Sequence, residues 1–165
     1  MQKGSCMAGL NTYIALLTDA LEKKNAILMQ LLSKTQEQTM ILDTEPVDFD
    51  AFDRNVSAKG NLIEELNSID NGFDRIYDRI SKELTANKAQ YSNEIKTMQH
   101  LISEIMNKSV SIQTLESRNR DKAEAFFRFT RKNIHEARMT NKVAESYYNN
   151  MVRKTGNESE IELKF

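Results

Sequence analysis

Along this chain apolar residues return at steps of three and four. Leu10, Ile14, Leu17, Leu21, Leu28, Leu31 and Leu32 have the spacing that lines one face of an α-helix. They predict a first helix over about residues 10–41. It ends before "LDTEPVDFD", because Pro46 disfavours helical geometry in the residue preceding it. A second series, Phe52, Val56, Ile63, Leu66, Phe73, Tyr77, Ile80 and Leu84, predicts a helix over about 48–85. Asp48 is placed to cap its N-terminus, with Val47 and Phe52 as a hydrophobic staple and Asp50 and Asp53 at the positive end of the helix dipole. Lys59 and Asp70 fall in the same apolar series. Asp70 reads either as a polar residue fixing register inside the seam or, the favoured reading, as the edge of the stripe. Gly60 and Gly72 each weaken the helix by about 1 kcal/mol relative to Ala and suit a closely approaching neighbour.

No Gly or Pro interrupts Phe73 to Lys154, yet one helix of that length is unusual outside a coiled coil. A reversal is therefore expected near Thr85 to Lys88, with Asn87 and Gln90 as a capping box. The third helix, over about 88–154, carries Tyr91, Ile95, Met98, Ile102, Ile105, Ile112 and Leu115. The polar interval "ESRNRDK" reads as an exposed helix or a second bend. Beyond it, the segment from Lys122 to Lys154 either continues the third helix or bends away from it. Gly156 suits the left-handed position after a helix end, and residues 156–165 are expected to be a mobile tail.

One stretch near the end, "MTNKVAESYYNNMVRK", is strongly one-sided. Met139, Val143, Tyr147 and Met151 step by four, with Ala144, Tyr148 and Val152 beside them. Lys142, Glu145, Ser146, Asn149, Asn150 and Arg153 take the opposite side. Such a stripe needs a cover. The cover is either the chain's own bundle or a partner.

Composition narrows the architecture. The chain has 165 residues with 1 Pro, 5 Gly, no Trp and 7% aromatic residues. Turn residues are too sparse for a β-fold, and so few aromatics suit a narrow seam better than a wide core. The expected fold is all-α: a single domain over 1–155, an elongated antiparallel bundle of three long helices with a C-terminal amphipathic helical segment. The stripe of the second helix is wider than the two-position seam of a dimeric coiled coil, which favours contact with more than one neighbour.

Charge is uneven although the net is −1. Asp43 to Glu83 holds 11 acids and 5 bases, a net of −6, and Arg118 to Lys142 holds 8 bases and 3 acids, a net of +5. The simplest reading is two helices lying side by side with matched charge. A nucleic-acid surface using Arg118, Arg120, Lys122, Arg128, Arg131 and Lys132 competes with it, without a recognised motif. The single cysteine, Cys6, permits no intramolecular disulfide. No window approaches ~18 uninterrupted apolar residues, and the N-terminus lacks the features of a secretory signal. A cytoplasmic location is expected.

Little in the chain suggests chemistry. His100 and Glu104 stand one turn apart, but two ligands do not make a metal site. No glycine-rich loop is available to cradle phosphate, and no nucleophile has a base at a recognisable spacing. Neither enzyme, metal nor cofactor is expected, which leaves binding and scaffolding.

The stretches "LTDALEKKNAILMQLLSKTQEQTMIL", "FDAFDRNVSAKGNLIEELNSIDNGFDRIYDRI" and "NKVAESYYNNM" together resemble the FlgN- and FliT-like flagellar export chaperones, in a divergent, clostridial-type branch. The resemblance spans about Leu10 to Met151. It implies a small cytoplasmic helical protein, monomer or weak homodimer. Such a protein holds the amphipathic terminal helix of a hook–filament junction protein or cap protein, prevents its aggregation and delivers it to the export apparatus. It also implies that the C-terminal helix makes the client contact. That points to Met139, Val143, Tyr147, Tyr148, Met151 and Val152, with Phe126, Phe127 and Phe129 nearby. The rival is a self-associating structural coiled-coil or adaptor protein with no client.

Overall fold

The computed structural model describes residues 2–128 and 141–151, with side chains from Gly9 onward. Three long helices follow one another: α1 (Gln2–Asp43), α2 (Phe49–Ala86) and α3 (Ser92–Phe127). A short helix, α4, covers residues 141–151. The fold is an all-α bundle. Among the described residues there is no strand, and no helix is long and apolar enough to cross a membrane.

Both turns fall close to where the sequence puts them, but their chemistry differs in part. Asp48 caps α2 as expected, its side chain accepting from the Ala51 N–H at 3.0 Å. Asn87, expected to open the third helix, instead closes α2. Its backbone N–H donates to Glu83 O and Leu84 O, and its Nδ2 donates to Glu83 O at 2.7 Å. The N-cap of α3 is Tyr91, whose side chain makes no capping bond. At its other end, α1 reaches back to Gln2 rather than starting near residue 10.

The register is legible in the side-chain pairs. Asp70 of α2 meets Lys24, while Asn55 reaches back to Lys34 O, so α1 and α2 run antiparallel. Pairs between α1 and α3 (Asn25–Glu104, Thr35–Glu116, Thr39–Asn119, Lys122–Asp43) all stay between 79 and 81 positions apart. That constancy makes the two helices parallel. α1 is the central element, since α2 and α3 both pack along it and approach one another only through side chains.

The core follows an alternation of four and three. Along α1 one buried row is Leu10, Ile14, Leu17, Leu21, Lys24, Leu28, Leu31, Thr35 and Gln38, with Ile27 buried beside it. Along α3 the buried row is Ile95, Met98, Ile102, Ile105, Ser109, Ile112, Glu116, Asn119 and Ala123. These steps are the heptad signature of helices packed lengthwise. At the far end, Phe52, Ala123 and Phe127 form a second cluster, with Ile41, Leu42, Phe49, Val56 and Phe126 packed against it. Its rings meet at centroid distances of 5.3 to 5.6 Å, tilted or edge-on, the geometry favoured by aromatic quadrupoles.

Four expectations need correction. The interval "ESRNRDK" does not bend and is exposed on one side only: Ser117, Arg118 and Asp121 face outward, while Glu116 and Asn119 are buried inside an unbroken α3. The third helix does not run to Lys154. It ends at Phe127, and α4 doubles back against it, with Glu145 beside Arg120, Asn149 beside Gln113 and Met151 beside Ser109. Gly60 and Gly72 admit no close neighbour, since a Cβ built at either meets nothing within 4 Å. The matched-charge reading holds only in part: Lys122 pairs with Asp43 at 2.6 Å, and residues 129–140 of the basic block lie outside the described residues. Among the described residues the ion pair joining α2 and α3 is Lys59 with Glu116, a base on the acidic helix and an acid on the basic one. Residues 156–165 lie outside the described residues, as does the expected helix stop at Gly156.

Candidate functional site

Because α2 and α3 both lean on α1, a trough remains between them, and α4 fills it. The buried face of α4 is Ala144, Tyr147, Tyr148 and Met151, and all four join the main core with α1, α2 and α3. Their spacing of three, one and three places them on adjoining rows of one helix face. The two tyrosine rings meet edge-on at 5.7 Å. The polar side of α4 is fastened at the rim, where Arg120 Nη1 lies 2.6 Å from Glu145 Oε2 and Gln113 Nε2 donates to Asn149 Oδ1 at 2.8 Å.

Beneath α4 the trough is not uniformly apolar. Lys24 Nζ lies 2.7 Å from Asp70 Oδ1, and both side chains are buried. Asp70 Oδ2 accepts from the Tyr147 hydroxyl at 3.3 Å. Asp70 is thus a polar residue inside the seam, and the favoured stripe-edge reading is overturned. Further along, Lys59 Nζ donates to Glu116 Oε1 and, at 3.2 Å, to Gln38 Oε1. Thr35 donates to Glu116, and Asn119 donates to Thr35 O and Gln38 Oε1. Desolvation holds the Lys59 ammonium below its ordinary value, while Glu116 pulls it back up. Charges buried this deeply persist because each is paired with an opposite charge.

Tyr148 sits at 0% exposure, and its hydroxyl has no hydrogen-bond partner among the described residues. Burial pushes its ionisation far up, and the charge of Glu116 adds to that. Beside it lies a cavity of about 150 Å³, lined by Glu116, Ser117, Arg120 and Glu145 among others. On the other edge of α4, Val56, Gly60, Ile63 and Val143 border a more apolar notch of about 200 Å³.

The residues singled out in the sequence divide accordingly. Tyr147, Tyr148 and Met151 lie together in the trough, facing the bundle. Val143 stays 60% exposed. Phe127 is buried and Phe126 half-buried in the separate phenylalanine cluster, not beside α4. Met139, Val152 and Phe129 lie outside the described residues. The stripe is therefore covered by the chain itself in this structure. Lys24, Ser109 and Glu116 escaped a search for apolar residues, although each keeps the four-and-three step of its helix. His100 and Glu104 are 3.3 Å apart on the surface, and among the described residues no three His, Cys, Asp or Glu side chains come together as a metal site requires.

Comparison with protein-family models, with curated proteins and with solved structures finds no match.

Proposed function

We propose that this chain is a helix-holding chaperone of the flagellar export type, working without catalysis. It binds the amphipathic terminal helix of a hook-associated or cap protein, keeps it from aggregating, and brings it to the export apparatus. The observation that carries this reading is the trough between α2 and α3, which already accommodates an amphipathic helix, α4, as a separate short element. Helix-in-groove recognition uses the same anchors at three- and four-residue spacing that α4 presents. Tyr and Met suit a surface that exchanges occupants, Tyr through its polar tip and Met through its flexibility. Two roles are then open to Tyr147, Tyr148 and Met151: they leave the trough when a client helix enters, or they contact the client after leaving.

The test is titration of the full-length chain with terminal fragments of hook–filament junction and cap proteins, followed by calorimetry and light scattering. A defined complex with one of them, formed from a monomer or weak dimer, is the expected outcome. Stable self-assembly at low concentration, with no complex formed by any fragment, would replace this reading with that of a structural coiled coil.

A further inference from the structure

Helix α4 shows which side chains the trough accepts, and the acceptance is chemical as well as steric. Asp70 offers two oxygens there. Lys24 takes one at 2.7 Å and the Tyr147 hydroxyl takes the other at 3.3 Å, all within the buried core. A purely aliphatic helix of the same width would exclude water from that second oxygen and donate nothing to it. An acceptor stranded in this way costs more than the hydrogen bond was worth. Tyr148 makes the opposite case, since its ring is fully buried while its hydroxyl meets no partner among the described residues. At that position the trough takes a flat ring, and the oxygen adds nothing. The small Ala144 is buried one turn ahead, and Glu145 faces Arg120 at the rim.

We infer that the trough selects, among amphipathic client helices, those whose buried face carries a tyrosine hydroxyl for Asp70. The selected helix has a small residue one turn earlier, an acid beside that residue to meet Arg120, and a second ring beside the tyrosine. The inference rests on the helix-holding reading above and specifies the partner's chemistry at the same site. Discrimination comes from the buried acceptor, because a site built to pair a hydroxyl rejects the analogue that lacks it far better than a greasy slot rejects a missing methylene.

The experiment uses the full chain carrying Tyr148→Asp and Met151→Asp, which puts carboxylates into positions at 0% and 1% exposure and so keeps α4 out of the trough. The probe is a fluorescent peptide of residues 139–154, in its natural form and with Tyr147→Phe or Tyr148→Phe. Tyr147→Phe should weaken binding about tenfold, equivalent to about 1.4 kcal/mol. Tyr148→Phe should bind as well as the natural peptide or better. Adding Lys24→Met with Asp70→Leu to the chain should close the tenfold gap. Equal affinity for all three peptides, a gap that survives loss of Asp70, or no binding at all overturns the inference. If the ejecting variant does not fold, hydrogen exchange of residues 141–151 in the otherwise natural chain decides instead. Tyr147→Phe should speed exchange about tenfold, and Tyr148→Phe should not; equal effects refute selection by hydroxyl. Tyrosine-dependent peptide binding without capture of any flagellar fragment would end the chaperone reading alone. Capture of a fragment with no dependence on tyrosine would end this inference alone.

Discussion

The two halves of the bundle use one spacing for opposite chemistry. In one half α1 contributes Leu10, Ile14, Leu17 and Leu21, α2 contributes Phe73, Ile80 and Leu84, and α3 contributes Ile95, Met98 and Ile102, all apolar and all buried. In the other half the same rows hold Thr35 and Gln38, Asn55 and Lys59, and Glu116 and Asn119, and the Lys24–Asp70 pair stands between the two sets. Apolar rows are interchangeable partners: a leucine packs nearly as well one turn further along. Polar rows are not, because Lys59 needs Glu116 and Gln38, and Asn119 needs Thr35 and Gln38. We read the apolar half as the source of stability and the polar half as the source of register, the best-attested use of buried polar groups in helical assemblies.

The sharpest way to break this comparison is Lys59→Met, which leaves the Glu116 carboxylate buried without its cation. Removing one partner of a buried pair costs about 3–5 kcal/mol, and chemical denaturation should show a loss of that size. Adding Glu116→Leu should restore most of it or exceed the natural stability, since apolar replacements of whole buried pairs are often neutral or better. A double variant no more stable than the single one would mean that the pair stabilises and does not merely specify.

Leu17→Ala, at 0% exposure in the apolar half, should cost about 2–5 kcal/mol. At about 2–4 °C per kcal/mol for a chain of this size, the melting point should fall on the order of 10 °C. A fall of only a degree or two would deny the apolar half its role.

The smallest expected effect is a pH slope. The folded Lys59 pKa lies below its ordinary 10.5, so between the two values the unfolded chain binds more protons than the folded one. In that interval the contribution of Lys59 to stability rises with pH. Glu116→Leu removes the upward pull of the carboxylate, lowers the folded value further and should steepen the rise. Stability should gain as pH rises toward the ordinary 10.5, and gain more in Glu116→Leu than in the natural chain. Urea denaturation of the natural chain, Glu116→Leu and Lys59→Met across that range measures it, and identical slopes in all three would exclude Lys59 as the source.

The apolar half was legible in the sequence because hydrophobic periodicity reports it directly. Leu10 to Leu31 and Tyr91 to Ile112 follow from spacing alone; the first turn is marked by Pro46 and the Asp48 cap, and the second only by the excessive length of an uninterrupted helical run. The polar half was largely hidden. Lys59 and Asp70 fall in the apolar series of α2, but their partners Lys24, Gln38 and Glu116 lie on other helices. Burial of a charge depends on a partner that no local window contains. The same reason explains the misreading of "ESRNRDK", whose polarity looks like solvent exposure until Lys59 and Thr35 are placed opposite. For α4 the stripe itself was plain, whereas its cover was not, because amphipathicity states that a face must be buried and not against what.

The parallel pairing of α1 with α3 also sets an order of assembly. Contacts between α1 and α2 close across one short turn, whereas those between α1 and α3 join residues about 80 positions apart, and longer loops cost more entropy to close. As the chain leaves the ribosome, α1 and α2 can therefore zip into a hairpin before α3 exists. Until α3 arrives, the apolar row of α1 that it covers stays open to water. The trough is completed only when α3 docks, and α4, made last, finds its seat already built.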